Sequence, residues 1–169
     1  VRTGPDGGLW VVDMSRGVIE HPRWIPEDVR AGLDIRGGDR QGRIFRILPA
    51  DRGPRPVPRL DRQSPAALVH SLRSPNGTVR DLAQQLLLWR DDRGVAGDLA
   101  AVVDSDAPAA ARAAALWILA RWSAADLDLL ARAIASGDPT LRRQSLRVLA
   151  AHPRPPAETR HLLAGLEPG

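Results

Sequence analysis

The hydrophobic pattern changes its period near residue 64. From there onward apolar residues fall three and four apart, the spacing of a helix with one buried stripe. Leu68, Val69 and Leu72 recur 31 positions later as Leu99, Ala100 and Val103, and again as Leu130, Ala131 and Ile134. A second stripe follows each. Val79, Leu82, Ala83, Leu86 and Leu87 form the first; Ala111, Ala114, Ala115, Ile118 and Leu119 repeat it. Leu141, Ser145, Val148 and Leu149 repeat it once more, with Gln144 as a polar member. The punctuation between stripes also recurs, as Ser74-Pro75-Asn76-Gly77, Ser105-Asp106-Ala107-Pro108 and Ser136-Gly137-Asp138-Pro139. Pro in a first helical turn with Ser or Asp before it suits a helix start. A single helix pair cannot bury its apolar face, so the pattern predicts stacked pairs sharing one core. The stripe residues are read as core. Arg80, Arg112 and Arg142, each following the first stripe residue, are read as structural ties to a loop carboxylate or carbonyl. Trp89, Trp117 and Trp122 are read as covers for helix ends or repeat junctions. A further first helix is expected at Leu162, Leu163 and Leu166, which makes about three and a half pairs in an array that looks truncated.

Before residue 50 the pattern is that of strands. Pro5-Asp6-Gly7-Gly8 is a turn signal, since Pro presets φ and Gly accepts positive φ. Leu9-Trp10-Val11-Val12 reads as a buried strand, and Arg43 to Ile47 as a second strand of half-buried pattern. Twenty-nine residues, Met14 to Gly42, separate them. A connection that long is expected to be functional. Pro26 to Leu33 is expected to form one or two helical turns, and Gly37-Gly38-Asp39 to return the chain to the second strand. An isolated hairpin is marginal in water, so these strands are expected to pair with sheet outside the chain or to pack on the helices. Asp51 to Arg62 alternates Pro and Arg and reads as an exposed, semi-rigid linker. The organisation predicted is a strand module over 1–49, a linker over 50–63 and helical repeats over 64–169.

Composition narrows the function. All 24 basic residues are Arg and the net charge is only +4, with acidic residues interleaved throughout. Nucleic-acid binding calls for clustered charge and stacking aromatics, and is not expected. The absence of Cys excludes disulfides, thiolate catalysis and Cys-ligated metals within these residues. No apolar run approaches the roughly 20 residues of a membrane span. No hydrolase elbow, zinc-binding HExxH, phosphate loop or dinucleotide fingerprint occurs.

Two unlike segments carry a resemblance. TGPDGGLWVVDMSRGVIEHPRWIP over residues 3–26, followed by GRIFRI over 42–47, resembles the final propeller blade of bacterial "membrane-bound dehydrogenase" proteins, abundant in Planctomycetes. That family is similar to the soluble quinoprotein sugar dehydrogenase and sorbosone dehydrogenase propellers. HSLRSPNGTVRDLAQQLLLWRDD over 70–92 resembles the first of the HEAT-like repeats that follow the propeller in the family. The order of the two segments is the family's order. The resemblance implies a mainly α chain in which a β-hairpin from the last blade precedes a HEAT-like solenoid. It implies a parent oxidoreductase, periplasmic or otherwise exported, acting on sugars or alcohols. Pyrroloquinoline quinone and a c-type haem domain would serve that parent, with neither group held by this chain. The sequence departs from the family at Ser15, where Tyr is usual, and at Thr78-Val79, where a Trp pair is usual. The first change bears on a ligand or packing contact in the loop, the second on the repeat surface.

The candidate chemistry lies in the long loop. Arg16 follows the strand end, where a propeller presents side chains to its central face. Its guanidinium offers paired donors to a carboxylate or sugar hydroxyls; the structural alternative is a salt bridge to Asp13 or Glu20. His21 is a candidate base, because imidazole titrates near neutrality; alternatively His21-Pro22 shapes a turn. Asp13 is a candidate cation ligand, a weak one, because calcium needs six to eight oxygens. Trp24 is read as packing. His70, His152 and His161 are read as ordinary surface or core residues. The expected function is that of a propeller-oxidoreductase fragment binding a sugar or polysaccharide-derived substrate, its repeats acting as scaffold towards the haem domain. The rival expectation is a non-enzymatic scaffold for carbohydrate or for a protein partner on the repeats.

Overall fold

The computed structural model describes residues 1–19, 21–151, 157 and 160. The chain is mainly helical, with a small antiparallel sheet at its start. It divides into two compact units, Val1–Val57 and Pro58–Gly169.

The first unit is built on three strands, β1 (Arg2–Thr3), β2 (Leu9–Asp13) and β3 (Arg43–Ile47), in the order β1-β2-β3. The short β1 extends the expected hairpin to a third strand, pairing Thr3 with Leu9 and Arg2 with Trp10. β2 and β3 pair from Leu9↔Ile47 to Asp13↔Arg43. The turn between β1 and β2 closes through Gly4 N to Gly8 O at 2.8 Å and Gly7 N to Gly4 O at 3.0 Å, with Gly7 at φ +82°. Helix α1 (Glu27–Arg30) is a single turn inside the long loop.

The expected burial of these strands is not found. Leu9, Trp10, Val12, Ile44, Phe45 and Ile47 are all exposed, Val12 at 72%. Alternation along a strand predicts only which side chains share a face; burial also needs a second layer, and none covers these side chains among the described residues. What fastens the sheet is polar. Asp6, 2% exposed, accepts hydrogen bonds from Gly8 N at 3.1 Å and Trp10 Nε1 at 3.2 Å, and its Oδ2 forms an ion pair with Arg46. Arg46 also stacks over the Trp10 ring, 5.5 Å from its centroid. Burial pushes the Asp6 carboxyl up, but the three donors outweigh it and leave the group below its ordinary range.

Among the described residues the second unit contains three antiparallel helix pairs: α2 (Pro65–Ser71) with α3 (Gly77–Arg90), α4 (Ala96–Asp104) with α5 (Ala109–Arg121), and α6 (Leu127–Ala135) with α7 (Pro139–Ala150). First helices stack on first helices and second on second, the arrangement of a HEAT-like array. Leu68, Leu72, Leu99, Val103, Leu130 and Ile134 line the interior from the first helices, each at most 1% exposed. Complete burial of one such side chain contributes roughly 1.5–3 kcal/mol. Ala83, Ala115 and Ser145 occupy one equivalent place on the three second helices, and each is fully buried. Ser145 Oγ satisfies itself by donating to Leu141 O at 2.9 Å.

Helix starts follow the punctuation in part. Asn76 Oδ1 accepts from Thr78 N, and Asp138 Oδ1 from Thr140 N and Leu141 N. α5 instead starts behind Pro108 without a side-chain cap. The recurring arginines all end on carbonyls. Arg80 Nη1 donates to Ser74 O at 2.7 Å, Arg112 Nε to Val103 O at 2.8 Å and Arg142 Nε to Ile134 O at 3.2 Å. Arg112 and Arg142 thus tie a second helix to the last turn of the first helix of its own pair, where carbonyls lack intrahelical partners, and Arg80 ties α3 to the loop that precedes it. Asp91 and Ser123 close α3 and α5 in the left-handed conformation, at φ 48° and 58°. After Ser123 the Ala124 N–H reaches back to Leu119 O at 2.8 Å, as a left-handed helix end requires.

Three expectations for this unit change. Leu82 is 38% exposed and Leu86 only half-buried, because α3 turns that edge of its stripe to solvent. Trp89 is 72% exposed and covers nothing, whereas Trp122 is buried at the end of α5 with no acceptor for its Nε1 among the described residues. Leu60, in the expected linker, is 4% exposed and belongs to the helical core, while Arg90 holds Gln63 O and Asp61 O at 2.6 and 2.7 Å. The helix expected at Leu162, Leu163 and Leu166 lies outside the described residues, as do His152 and His161. No helix among the described residues is long and apolar enough to cross a membrane.

Candidate functional site

The long loop leaves β2 through an Asx turn. Asp13 Oδ1 accepts from Ser15 N at 3.3 Å, and its Oδ2 binds Arg43 Nη2 at 2.9 Å across the strand pair. The turn puts Ser15 at φ 38°, a left-handed conformation that a side chain disfavours. Gly38, at φ +80°, meets it from the far limb of the loop: a Cβ there would collide with the Ser15 carbonyl oxygen. Two residues on, Gly17 N donates to Gly37 O at 2.9 Å. The two limbs are therefore pinned together where the strand ends.

Arg16 lies in that pinned stretch. Its Nη2 donates to Ile35 O at 3.0 Å, so it holds a backbone carbonyl instead of the Asp13 salt bridge considered above. Asp13 is taken by Arg43; Glu20 lies outside the described residues. His21 opens a turn of 3-10 helix over Pro22–Trp24, and its Nδ1 accepts from Arg23 N at 3.2 Å. With Nδ1 as acceptor, the neutral ring carries its proton on Nε2. Trp24 is 74% exposed, with Arg23 over its ring at 5.7 Å, so it is not the packing residue expected.

Asp13, Arg16 and His21 line one cleft of about 710 Å³, with Val18, Ile19, Ile35 and Ile44 among the apolar part of its wall. Such a volume admits a small ligand, and a mostly apolar lining with a few polar groups is the usual make-up of a ligand site. The polar groups offer mainly donors. Arg16 commits one N–H to Ile35 out of the five a guanidinium has, and His21 presents Nε2–H. Asp13 keeps a lone pair on each oxygen beyond its bonds to Ser15 N and Arg43, but one carboxylate falls far short of the six to eight oxygens calcium takes. No group of three or more His, Cys, Asp or Glu side chains is arranged to hold a metal among the described residues.

Sequence reasoning reached the three polar residues but not the parts that place them. Arg43, Ile35 and Gly38 act through contacts across the loop, between 19 and 30 residues apart in the first two cases. Asp6 was legible only as a turn residue; the Trp four positions later was the signal that its carboxylate had a partner.

A family model described as a domain of unknown function, DUF7133, matches residues 1–51, the segment that holds the sheet and the cleft. No curated protein and no solved structure matches the chain.

Proposed function

We propose that the chain belongs to an exported, periplasmic propeller oxidoreductase acting on sugars or related alcohols. In this reading the first unit contributes a substrate-binding cleft, and the helical repeats are a scaffold between the propeller and a haem domain. The observation that supports it is convergence: Asp13, Arg16 and His21 come from a strand end and two turns, yet line the same cleft. Donors from Arg16 and His21 suit the oxygens of a hydroxylated or carboxylated small molecule. His21 is assigned to binding. To act as a base it would need Nε2 unprotonated, which puts Nδ1–H against the Arg23 N–H. The proton acceptor of the reaction then comes from elsewhere in the parent protein.

Neither redox group fits these residues. Covalent haem attachment needs Cys, and the sequence has none. Pyrroloquinoline quinone is a tricarboxylate, and Arg16 is the one guanidinium lining the cleft that is not engaged by a carboxylate. Both groups are proposed to sit in other parts of the parent.

The second reading, a non-enzymatic scaffold for carbohydrate or protein, is favoured by one fact: all three side chains already have local structural partners. The full-length protein, loaded with quinone, separates the two in a dye-reduction assay with sugars and sugar alcohols, run beside saturation-transfer NMR of sugar binding. Turnover that falls with Arg16→Ala supports the oxidoreductase. Sugar binding without turnover supports the scaffold. Neither binding nor turnover overturns the cleft as a sugar site.

A further inference from the structure

Charge in the helical unit is sorted by layer. The second helices, α3, α5 and α7, carry seven arginines and one acidic residue, Asp81. The first helices, α2, α4 and α6, carry three aspartates and one arginine, Arg132, which is tied to Asp104 at 3.0 Å. Four of the seven second-layer arginines hold backbone carbonyls: Arg80, Arg90, Arg112 and Arg142. The other three, Arg121, Arg143 and Arg147, are exposed and have no carboxylate partner among the described residues.

Apolar surface is exposed in the same layer. Aligning the second helices on the buried Ala83, Ala115 and Ser145 brings Gln85, Trp117 and Arg147 into register, with Trp89 and Arg121 one turn further on. Leu82 and Trp89 thus share a face of α3, 38% and 72% exposed, and Trp117 stands beside them on α5 at 36%. The α5 and α7 rows are joined, because Trp117 Nε1 donates to Gln144 Oε1 at 3.0 Å. Exposed aromatic surface rimmed by arginine is the make-up of an interaction site, since Trp and Arg dominate the binding energy of many interfaces.

We propose that this second-helix face docks an acidic protein segment bearing apolar side chains. Carboxylates of the partner meet Arg121 and Arg147, and its apolar side chains cover Trp89, Leu82 and the Trp117 ring. Charge complementarity selects the occupant. A nucleic-acid strand is the poorer fit, because it needs a continuous run of free cations and four of the seven guanidiniums are already bound to carbonyls. The inference stands on the helical unit and does not depend on the reading of the cleft.

Fluorescence anisotropy tests it on the full chain. The probes are a labelled peptide of about 20 residues with Glu and Asp interspersed with Leu and Phe, its analogue with every acid replaced by Lys, and labelled single-stranded oligothymidylate. The acidic peptide is expected to bind, and to lose roughly tenfold in affinity as salt rises to about 0.5 M. Arg121→Glu with Arg147→Glu should abolish binding, and Trp89→Ala should weaken it by roughly tenfold. All three positions are exposed, and unchanged helical circular dichroism shows that a loss is not unfolding; Arg121→Gln with Arg147→Gln serves if the reversed charges perturb the fold. Equal binding of the Lys peptide overturns the proposal. So does an acidic peptide that does not bind, binds regardless of the substitutions, or binds more weakly than the oligonucleotide.

Discussion

The α-carbon of Gly38 packs against the carbonyl oxygen of Ser15 with no room for a Cβ between them. The contact joins the two limbs of the loop one residue from Arg16, and Gly38 sits at φ +80°, where an L side chain is strained as well as crowded. Gly38→Ala should therefore destabilise the first unit by about 1–3 kcal/mol and speed amide exchange over residues 13–18. Gly53→Ala, at a position with open space around it, is the control and should be near neutral. Equal exchange in the two variants would remove the pinning argument.

Acid should loosen the first unit before neutral pH does. Asp6 has a folded-state pKa below its ordinary 3.8, so its contribution is present above that value and is lost as pH falls through the lower folded value. The same sign holds for Asp61, which the hydrogen bond from Arg59 holds down at about 2. Stability of the wild type is expected to decline below about pH 4. Asp6→Asn should be less stable than wild type at pH 7 and show a flatter acid limb in a tryptophan-fluorescence titration. Parallel acid limbs would contradict the role given to Asp6.

The arginine ties can be weighed against an arginine that ties nothing. Arg112→Ala frees the Val103 carbonyl and should lower the unfolding free energy by about 1 kcal/mol, read from the urea midpoint. Arg143→Ala, on an exposed site, should stay within about 0.5 kcal/mol of wild type.

Two leucines of similar sequence setting should behave differently. Leu99→Ala, at a site with no exposure, is expected to cost about 2–5 kcal/mol. Leu82→Ala, 38% exposed on α3, should cost well under half of that in the same thermal melts.

His21 offers a spectroscopic check. With Nδ1 accepting from Arg23 N, the neutral ring should appear as the Nε2–H tautomer in a long-range ¹H–¹⁵N spectrum. His21→Asn keeps a short-range acceptor for that amide and should preserve the turn; His21→Ala should not. The Nδ1–H tautomer would return His21 to the role of base.

The helical array was legible because its signal is redundant: one stripe spacing occurs three times, and Leu68, Leu99 and Leu130 each report the same interior. The arginine ties were legible for the same reason, through Arg80, Arg112 and Arg142. The sheet was harder. Leu9 to Val12 has the composition of a buried strand, but composition says nothing of whether a second layer covers it, and Val12 ends up exposed. β1 is two residues long and left no periodicity to find. In the loop, Asp13, Arg16 and His21 could be picked out by residue type. Their partners Arg43 and Ile35 could not: the Asp13–Arg43 pair depends on the register of two strands far apart in sequence, and a contact to a backbone carbonyl has no sequence mark.

The left-handed corners at Asp91 and Ser123 stand 32 residues apart, each directly before the next repeat. A splice from one corner to the other would carry one whole helix pair, its arginine tie included, and leave the same bend on both sides of the cut. Length is thus the property this architecture varies most readily: a unit added or deleted there changes the reach of the array, at the cost of re-matching the contacts between the pairs it brings together.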